Sequence, residues 1–389
     1  MAVNSSRDTV DVQHVPLCRP SITETEIAAA TEAMRSGWLA HGAFNQRFEE
    51  AFSQLTGAPH AISLNSCTSA LELALKAHGI GGEVVTPSFT WVATANAIVT
   101  SGATPHFCEI DPATRNVTAE TVAAAITPRT EAVIVVHYGG QPCQMDGIVE
   151  LCSRHGLLLI EDSAETLGAT WQERSVGSFG IGCFSFFPTK NITTGEGGMF
   201  TCFDAGTEQR ARAIASHGIA STTLARERAE RPWLRAAERA GHNYRLSNVL
   251  AAIGFEQLKR LPEMNRRRCE LAERYDQRIA EFDAMVETPA VAPGATHVYQ
   301  TYSVRIPANR RDGVLARMRR EGIGASVHFD PPVHKQPYYL SRRDPRTDLQ
   351  ATESLCSSLI SLPLFPEMTL QEQDRVLDSL HGALTRVVT

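Results

Sequence analysis

Lys190 stands in GCFSFFPTKNITTGEGG, after an apolar run and ahead of a Thr- and Gly-rich segment that can turn tightly. Most lysines are solvated surface residues, and outside this setting that reading would suffice. Schiff-base chemistry asks for a lysine in a partly dry site that eases loss of its proton. A loop at the end of a buried strand is such a site. Asp162 closes the run LLLIED. It can cap a helix or face solvent. It can also partner a pyridinium nitrogen, keeping the ring protonated and able to accept electrons. On neighbouring sheet edges, Asp162 and Lys190 are the minimal machinery for pyridoxal 5'-phosphate (PLP): an anchor for the electron sink and an amine that carries the cofactor.

PLP also needs a phosphate cup and a cover for its ring. NSCTSAL (residues 65–71) follows a strand-like run and opens an amphipathic helix. Free amides at a helix start, beside the hydroxyls of Thr68 and Ser69, suit a phosphate dianion. Ser and Thr also cap many helices without binding anything. Ser185 is a second candidate phosphate ligand, or a serine on a buried strand. Trp91, in TPSFTWVATANAI, is either a core aromatic or a ring that covers one face of the cofactor.

These residues need a scaffold that brings strand ends together. Short apolar or β-branched runs occur at His60–Leu64, Glu83–Thr86, Thr104–Cys108, Ala132–His137, Leu157–Glu161, Gly182–Phe186 and Gly198–Cys202. Helical patterns separate the first five: Thr68–His78, Trp91–Ser101, Ala119–Ile126 and Met145–His155. Such alternation predicts an α/β fold, a mainly parallel sheet covered on both faces, with ligands at the carboxyl ends of the strands. Ahead of it, Thr23 and Glu26 have capping-box spacing for a helix running to Met34, and a second helix spans Asn45–Thr56 and stops at Gly57. Ala220–Gly241, rich in Arg, Glu and Ala, reads as an exposed helix or a mobile insertion. Val249–Tyr275 is helical with an interruption at Pro262. The composition then changes to an α+β pattern: strands at Val298–Ile306 and Ala325–Phe329, helices at Asp312–Glu321, Glu353–Leu359 and Leu370–Leu384. Two domains are expected, 15–262 and 263–389.

Composition narrows the classes. The 389 residues are 43% hydrophobic and 21% charged, an ordinary globular balance. A net charge of −6 gives no basic face for nucleic acid. Nine cysteines without a Cys-x-x-Cys pair read as scattered reduced thiols rather than a zinc site, and no metal is expected. The polar start MAVNSSRDTV lacks the pattern of a signal peptide, and no apolar run is long enough to span a membrane. A cytoplasmic address is expected.

In order and spacing, SCTSAL, TPSFTWVATANAI, VVHYGGQPCQMD, IEDSAETLGA, SFGIGCFSFFPTKNITTGEGG, HNYRLSNVLAAIG and SLPLFPEMT resemble the DegT/DnrJ/EryC1/StrS family of sugar aminotransferases. The resemblance runs from about Pro16 to the C-terminus. It is strongest to the branch that aminates C4 of nucleotide-linked 4-keto-sugars, in particular the enzymes that form UDP-4-amino-4-deoxy-L-arabinose. It implies a fold type I PLP transferase with a large domain and a smaller α+β C-terminal domain, working as a homodimer with shared active sites. L-glutamate is the implied donor and a nucleotide sugar the implied acceptor, in a ping-pong cycle.

The resemblance also assigns roles. Lys190 binds the cofactor and moves the proton, and Asp162 pairs with the pyridine nitrogen. Thr68, Ser69 and Ser185 hold the phosphate, and Trp91 stacks on the ring. Asn243 reaches the phosphate of the other subunit. His328 and His334, in VHFDPPVHKQPYY, line the sugar site, although the residues alone read as loop histidines. Where the family often carries His or Gln facing the phenolic oxygen, this chain has Glu165, which blurs the arabinose-type assignment. Lys190 argues against the family's dehydratases, which carry His there. Other keto-substrates (a 3-keto-sugar, an inosose, a free keto-sugar acid) and a non-catalytic PLP-binding regulator are the alternatives. A Rossmann dehydrogenase is disfavoured, because NSCTSAL is no Gly-x-Gly-x-x-Gly.

Overall fold

The structure, a computed structural model, describes residues 14–219, 231, 233, 236–282, 285–341 and 348–385. The polar N-terminus and much of the Ala220–Gly241 stretch therefore lie outside the described residues.

The chain opens with α1 (Glu24–Arg35), begun by the predicted capping box: Glu26 takes the Thr23 amide at 2.8 Å. Next comes α2 (Ala43–Thr56), ended by Gly57 at φ 74°, a left-handed position suited to glycine. The alternating region follows as β1 (His60–Leu64), α3 (Cys67–His78), β2 (Glu83–Pro87), α4 (Val92–Ser101), β3 (Thr104–Cys108), α5 (Ala119–Ala125), β4 (Thr130–Val136), α6 (Met145–His155) and β5 (Leu158–Asp162). A small hairpin, β6 (Thr170–Trp171) and β7 (Arg174–Ser175), precedes β8 (Ile181–Ser185) and β9 (Gly198–Cys202). The sheet order is β1-β9-β8-β5-β4-β2-β3. Only β9 runs against its neighbours; the other pairings are parallel.

Both faces of this sheet are apolar, as parallel strands require. Ile134 and Ile160 point to one side, packing with Leu71, Leu75 and Ile98 from α3 and α4. Val133 and Val135 point to the other, against Val122 of α5 and Ile148 and Leu151 of α6. Each such side chain contributes about 2 kcal/mol by leaving water. That burial fixes the strand ends in a common row.

The long helix Asn248–Phe282 corrects the expected break: it runs through Pro262 without interruption. A proline inside a helix costs about 3 kcal/mol. Here Leu258, Leu261 and Met264 are buried in one core cluster and Leu271, Ala272, Tyr275 and Ile279 in another. Burial on both sides of Pro262 outweighs the lost hydrogen bond. The division expected after residue 262 thus falls inside one helix, and Val15 packs with the C-terminal cluster.

After β10 (Ala295–Thr296), that C-terminal part pairs β11 (Tyr302–Arg305) with β12 (Leu359–Leu362), antiparallel, beneath helices Ala308–Arg320 and Leu370–Thr385. The strand expected at Ala325–Phe329 does not form; a single bridge joins Ser326 to Ser361. No described helix is long and apolar enough to cross a membrane.

Candidate active site

β1, β2, β5 and β8 are co-directional, so the segments after their ends meet at one edge of the sheet. There they enclose a cleft of about 430 Å³, lined among others by Thr68, Trp91, Asp162, Glu165, Ser185 and Lys190, and by His328 from the C-terminal part.

Asp162 ends β5 and forms the floor, with 6% exposure. Its Oδ2 accepts from the Thr94 hydroxyl at 2.8 Å and its Oδ1 from the Ala164 amide at 3.2 Å. Burial raises its pKa, only partly offset by these donors and by Lys190. Asp162 has no ion-pair partner among the described residues. A dry carboxylate with spare acceptor capacity is what a protonated ring nitrogen needs.

Lys190 sits on the loop after β8, its amide bonded to the Phe187 carbonyl at 2.9 Å. Its Nζ is 3.1 Å from Glu165 Oε1. The other Glu165 oxygen accepts from the Gly139 amide at 2.8 Å. Burial pushes the Glu165 carboxyl up, but Lys190 and the Gly139 amide outweigh it and hold it below the usual carboxylate range.

The phosphate end fits as well. Ser66 caps α3 by accepting from the Ser69 amide. β9 passes directly under this turn: a Cβ on Gly198 would come within 2.4 Å of the Ser66 carbonyl carbon. Thr68 and Ser185 line the cleft beside the helix start, where the dipole and free amides favour an anion. Trp91, the residue before α4, is 64% exposed and lines the cleft, and among the described residues the aromatic ring beside it is Phe329, at 6.2 Å. Carboxylate floor, lysine, helix start and indole together suit PLP. Among the described residues no cluster of His, Cys, Asp and Glu is placed for a metal.

The predicted residues do not all meet. Ser69 is buried outside the cleft lining, its hydroxyl donating to Asn65 at 2.7 Å. Asn243 is exposed and away from the lining; its Oδ1 accepts from Arg245 at 3.0 Å. His334 is a correction: it is fully buried, with Nδ1 2.7 Å from Ser88 Oγ and Nε2 3.0 Å from Glu353, so it braces the loop instead of facing the cleft. His328 does line the cleft.

Other lining residues were missed from sequence. Thr94 lies one helical turn after Trp91, and that spacing was a usable signal. Cys18, Gln300 and Thr301 also line the cleft. They arrive from distant parts of the chain, and nothing local marks them.

The family model for DegT/DnrJ/EryC1/StrS aminotransferases matches residues 20–381. The spore coat polysaccharide biosynthesis protein SpsC of Bacillus subtilis (strain 168) is 38% identical over 375 residues, 94% of this chain and 96% of SpsC. The aminotransferase TlmJ from Streptoalloteichus hindustanus superimposes with a TM-score of 0.89 at 35% identity, covering 96% of this chain and 100% of TlmJ. DesI, solved in the presence of its TDP-sugar product, gives 0.86 at 31% identity, covering 96% and 93%. Members of the family use PLP, and solved neighbours are known in both the PLP and PMP forms. These likenesses carry the family and the sugar aminotransferase activity, and not the narrower arabinose-type assignment. The match runs from before the capping box of α1 into the last helix, and the chain belongs to the DegT/DnrJ/EryC1/StrS family of PLP-dependent sugar aminotransferases.

Proposed function

We propose that this aminotransferase moves an amino group from L-glutamate to a keto-sugar carried on a nucleotide, a 4-keto-sugar in first place, by a ping-pong cycle. The observation that carries the reading is Asp162, buried with no direct ion-pair partner among the described residues and lining the same cleft as Lys190. The nucleotide is supported by DesI, solved with its TDP-sugar product. The cleft of about 430 Å³ falls within the range of small-molecule sites.

Bound PLP supplies a carbonyl that takes up the donor's amine and a ring that accepts the electrons released when the α-proton leaves. Asp162 would keep the ring nitrogen protonated. The start of α3, with Thr68 and Ser185, would hold the phosphate, and Trp91 would cover one ring face. With the cofactor bound, Lys190 would take up the donor's α-proton at Nζ and return it on the far side of the transferred nitrogen, two bonds along, as a positioned general acid–base. Glu165 keeps that Nζ aimed. Water would release the donor as 2-oxoglutarate with its nitrogen retained in the cleft; in the second half the keto carbon would lose its oxygen as water and gain that nitrogen and a proton from Lys190. Asn243, exposed and outside its own cleft, reaches the phosphate of a second subunit, and the working unit is a homodimer in the cytoplasm.

The test is a half-reaction scan. Glutamate should convert the yellow enzyme to its amine form, and one nucleotide 4-keto-sugar should restore the colour. Recovery only with a 3-keto-sugar, an inosose or a free keto-sugar acid would overturn the substrate class. No conversion by any amino donor would favour a PLP-binding regulator.

A further inference from the structure

We propose that His328 is a fixed hydrogen-bond acceptor: a buried hydroxyl relay locks its proton on Nδ1 and presents a bare Nε2 to a hydroxyl of the keto-substrate. The substrate half of this statement rests on the keto-sugar reading above.

The relay follows from proton bookkeeping along four contacts. The Tyr138 hydroxyl lies 3.1 Å from the His328 carbonyl oxygen. A carbonyl only accepts, so Tyr138 donates its single proton there. Ser303 Oγ is 3.1 Å from the Tyr138 oxygen, and with that proton committed, Ser303 must donate. Ser361 Oγ is 2.9 Å from Ser303 Oγ, and by the same step Ser361 donates to Ser303. The last contact is 2.8 Å, between Ser361 Oγ and His328 Nδ1. The Ser361 proton is spent, so the imidazole must supply one from Nδ1.

Three hydroxyls thereby fix one tautomer. Tyr138, Ser303 and Ser361 are 4%, 1% and 0% exposed, so bulk water does not compete for these bonds. A neutral imidazole with its proton on Nδ1 carries a lone pair on Nε2. Nε2 has no partner among the described residues, and His328 lines the cleft.

The electrostatics agree. Burial lowers the pKa of His328; Glu165 pulls it up and Lys190 pushes it down, with a net lowering. The ring is therefore neutral near pH 7 and offers an acceptor there. Its charged neighbours, Glu165 and Lys190, place it at the reacting end of the cleft. The nearest donors on a bound sugar are hydroxyls next to the keto carbon. An acceptor at that point distinguishes a sugar bearing the hydroxyl from its deoxy counterpart, because the deoxy sugar leaves Nε2 unpaired.

The experiment combines tautomer and kinetics. In holoenzyme labelled with ¹⁵N-histidine, the signal lost in His328→Gln identifies this ring among the 13 histidines. It should report a proton on Nδ1 in the native protein and shift toward the Nε2–H form in Ser361→Ala. A native Nε2–H signal overturns the proposal. With whichever nucleotide keto-sugar turns over, Ser361→Ala should raise KM roughly fivefold, a lost hydrogen bond's worth. The same change should narrow discrimination against the analogue deoxygenated beside the ketone, with the glutamate half-reaction as internal reference. Unchanged discrimination also overturns it. If no nucleotide keto-sugar turns over while the Nδ1–H signal stands, the substrate class has failed and the tautomer has not; the same discrimination is then measured on the ketone that does react.

Discussion

Glu165 stands between Lys190 and the backbone: Oε1 lies 3.1 Å from Lys190 Nζ, and the opposite oxygen accepts from the Gly139 amide at 2.8 Å. Gly139 has φ 66°, a left-handed conformation that presents this amide. Its carbonyl in turn receives the Thr301 amide at 3.1 Å. The aim of the Lys190 amine is thus set by a backbone loop clasped to the C-terminal part. Glu165→Gln keeps an oxygen for Gly139 and removes the charge facing Lys190. It should retain bound cofactor but slow both half-reactions roughly tenfold, by loosening a positioned proton carrier. Single-turnover rates with glutamate and with the keto-substrate measure this; native rates would remove Glu165 from the positioning of Lys190.

Lys190→Ala should lose the yellow colour of lysine-bound cofactor and all turnover. Asp162→Ala should keep part of the binding and lose most of the activity, because the ring can no longer be held protonated. A Lys190→Ala enzyme that still transaminates, or an Asp162→Ala enzyme at native rate, would defeat these assignments.

Thr94 donates to Asp162 Oδ2 at 2.8 Å in a site with 2% and 1% exposure at Thr90 and Thr94. Thr94→Val is nearly isosteric and deletes that donor. The carboxylate then loses a bond that favours its charged form, and its pKa rises further. Cofactor affinity should fall by roughly tenfold or more, the worth of one hydrogen bond to a charged group at about 1.5 kcal/mol or above. Equilibrium dialysis of the cofactor against the variant tests it; unchanged affinity would show that Thr94 orients nothing.

Much of this was legible because burial and periodicity point the same way. Each of the seven runs read as strands became a strand of the sheet, since continuous Val and Ile runs such as AVIVV suit a strand covered on both faces. Lys190, Asp162, Trp91, Thr68 and Ser185 share a cleft because strand ends meet at one edge, a rule of topology rather than of spacing. What stayed hidden is long-range. His334 looked like His328 in sequence, six residues away, yet Ser88 and Glu353 capture it. β12 went unread because LISL is four residues whose partner, β11, lies far back in the chain. Pro262 misled because local chemistry predicts a break that burial on two sides overrides.

Glu49 predicts the acid limb of stability. It sits on α2 and accepts from the Ser63 amide at 2.9 Å on β1, from His41, and from Arg212 of α7 (Ala205–Ala215) at 3.2 Å. Burial alone would raise its carboxyl; Arg212, His41 and Ser63 bring it down from 4.5 to about 2. A depressed carboxylate stabilises the fold above its unfolded pKa and loses that contribution as pH falls through the folded one. The window is therefore pH 4.5 down to about 2, and the contribution at neutral pH is about 3 kcal/mol. Glu49→Gln should be less stable at pH 7 and show a flatter decline across that window, read from denaturant midpoints at each pH. A parallel decline in both proteins would mean that Glu49 is not the titrating group.

Asn243 offers the sharpest test of a shared active site. It is exposed and absent from the lining of its own cleft, while its Oδ1 is held by Arg245 at 3.0 Å. A polar side chain fixed outward serves a phosphate only if the phosphate belongs to another chain. Lys190→Ala should be inactive, and Asn243→Ala should bind cofactor weakly. In a mixed dimer of the two variants, one cleft lacks Lys190. The other has its own Lys190 and receives native Asn243 from the Lys190→Ala subunit, so it is complete. Activity should therefore reappear on mixing, up to about half that of native dimer per mixed dimer, as expected where a site needs groups from both subunits. Activity that never exceeds that of Asn243→Ala alone would place Asn243 outside the partner's site.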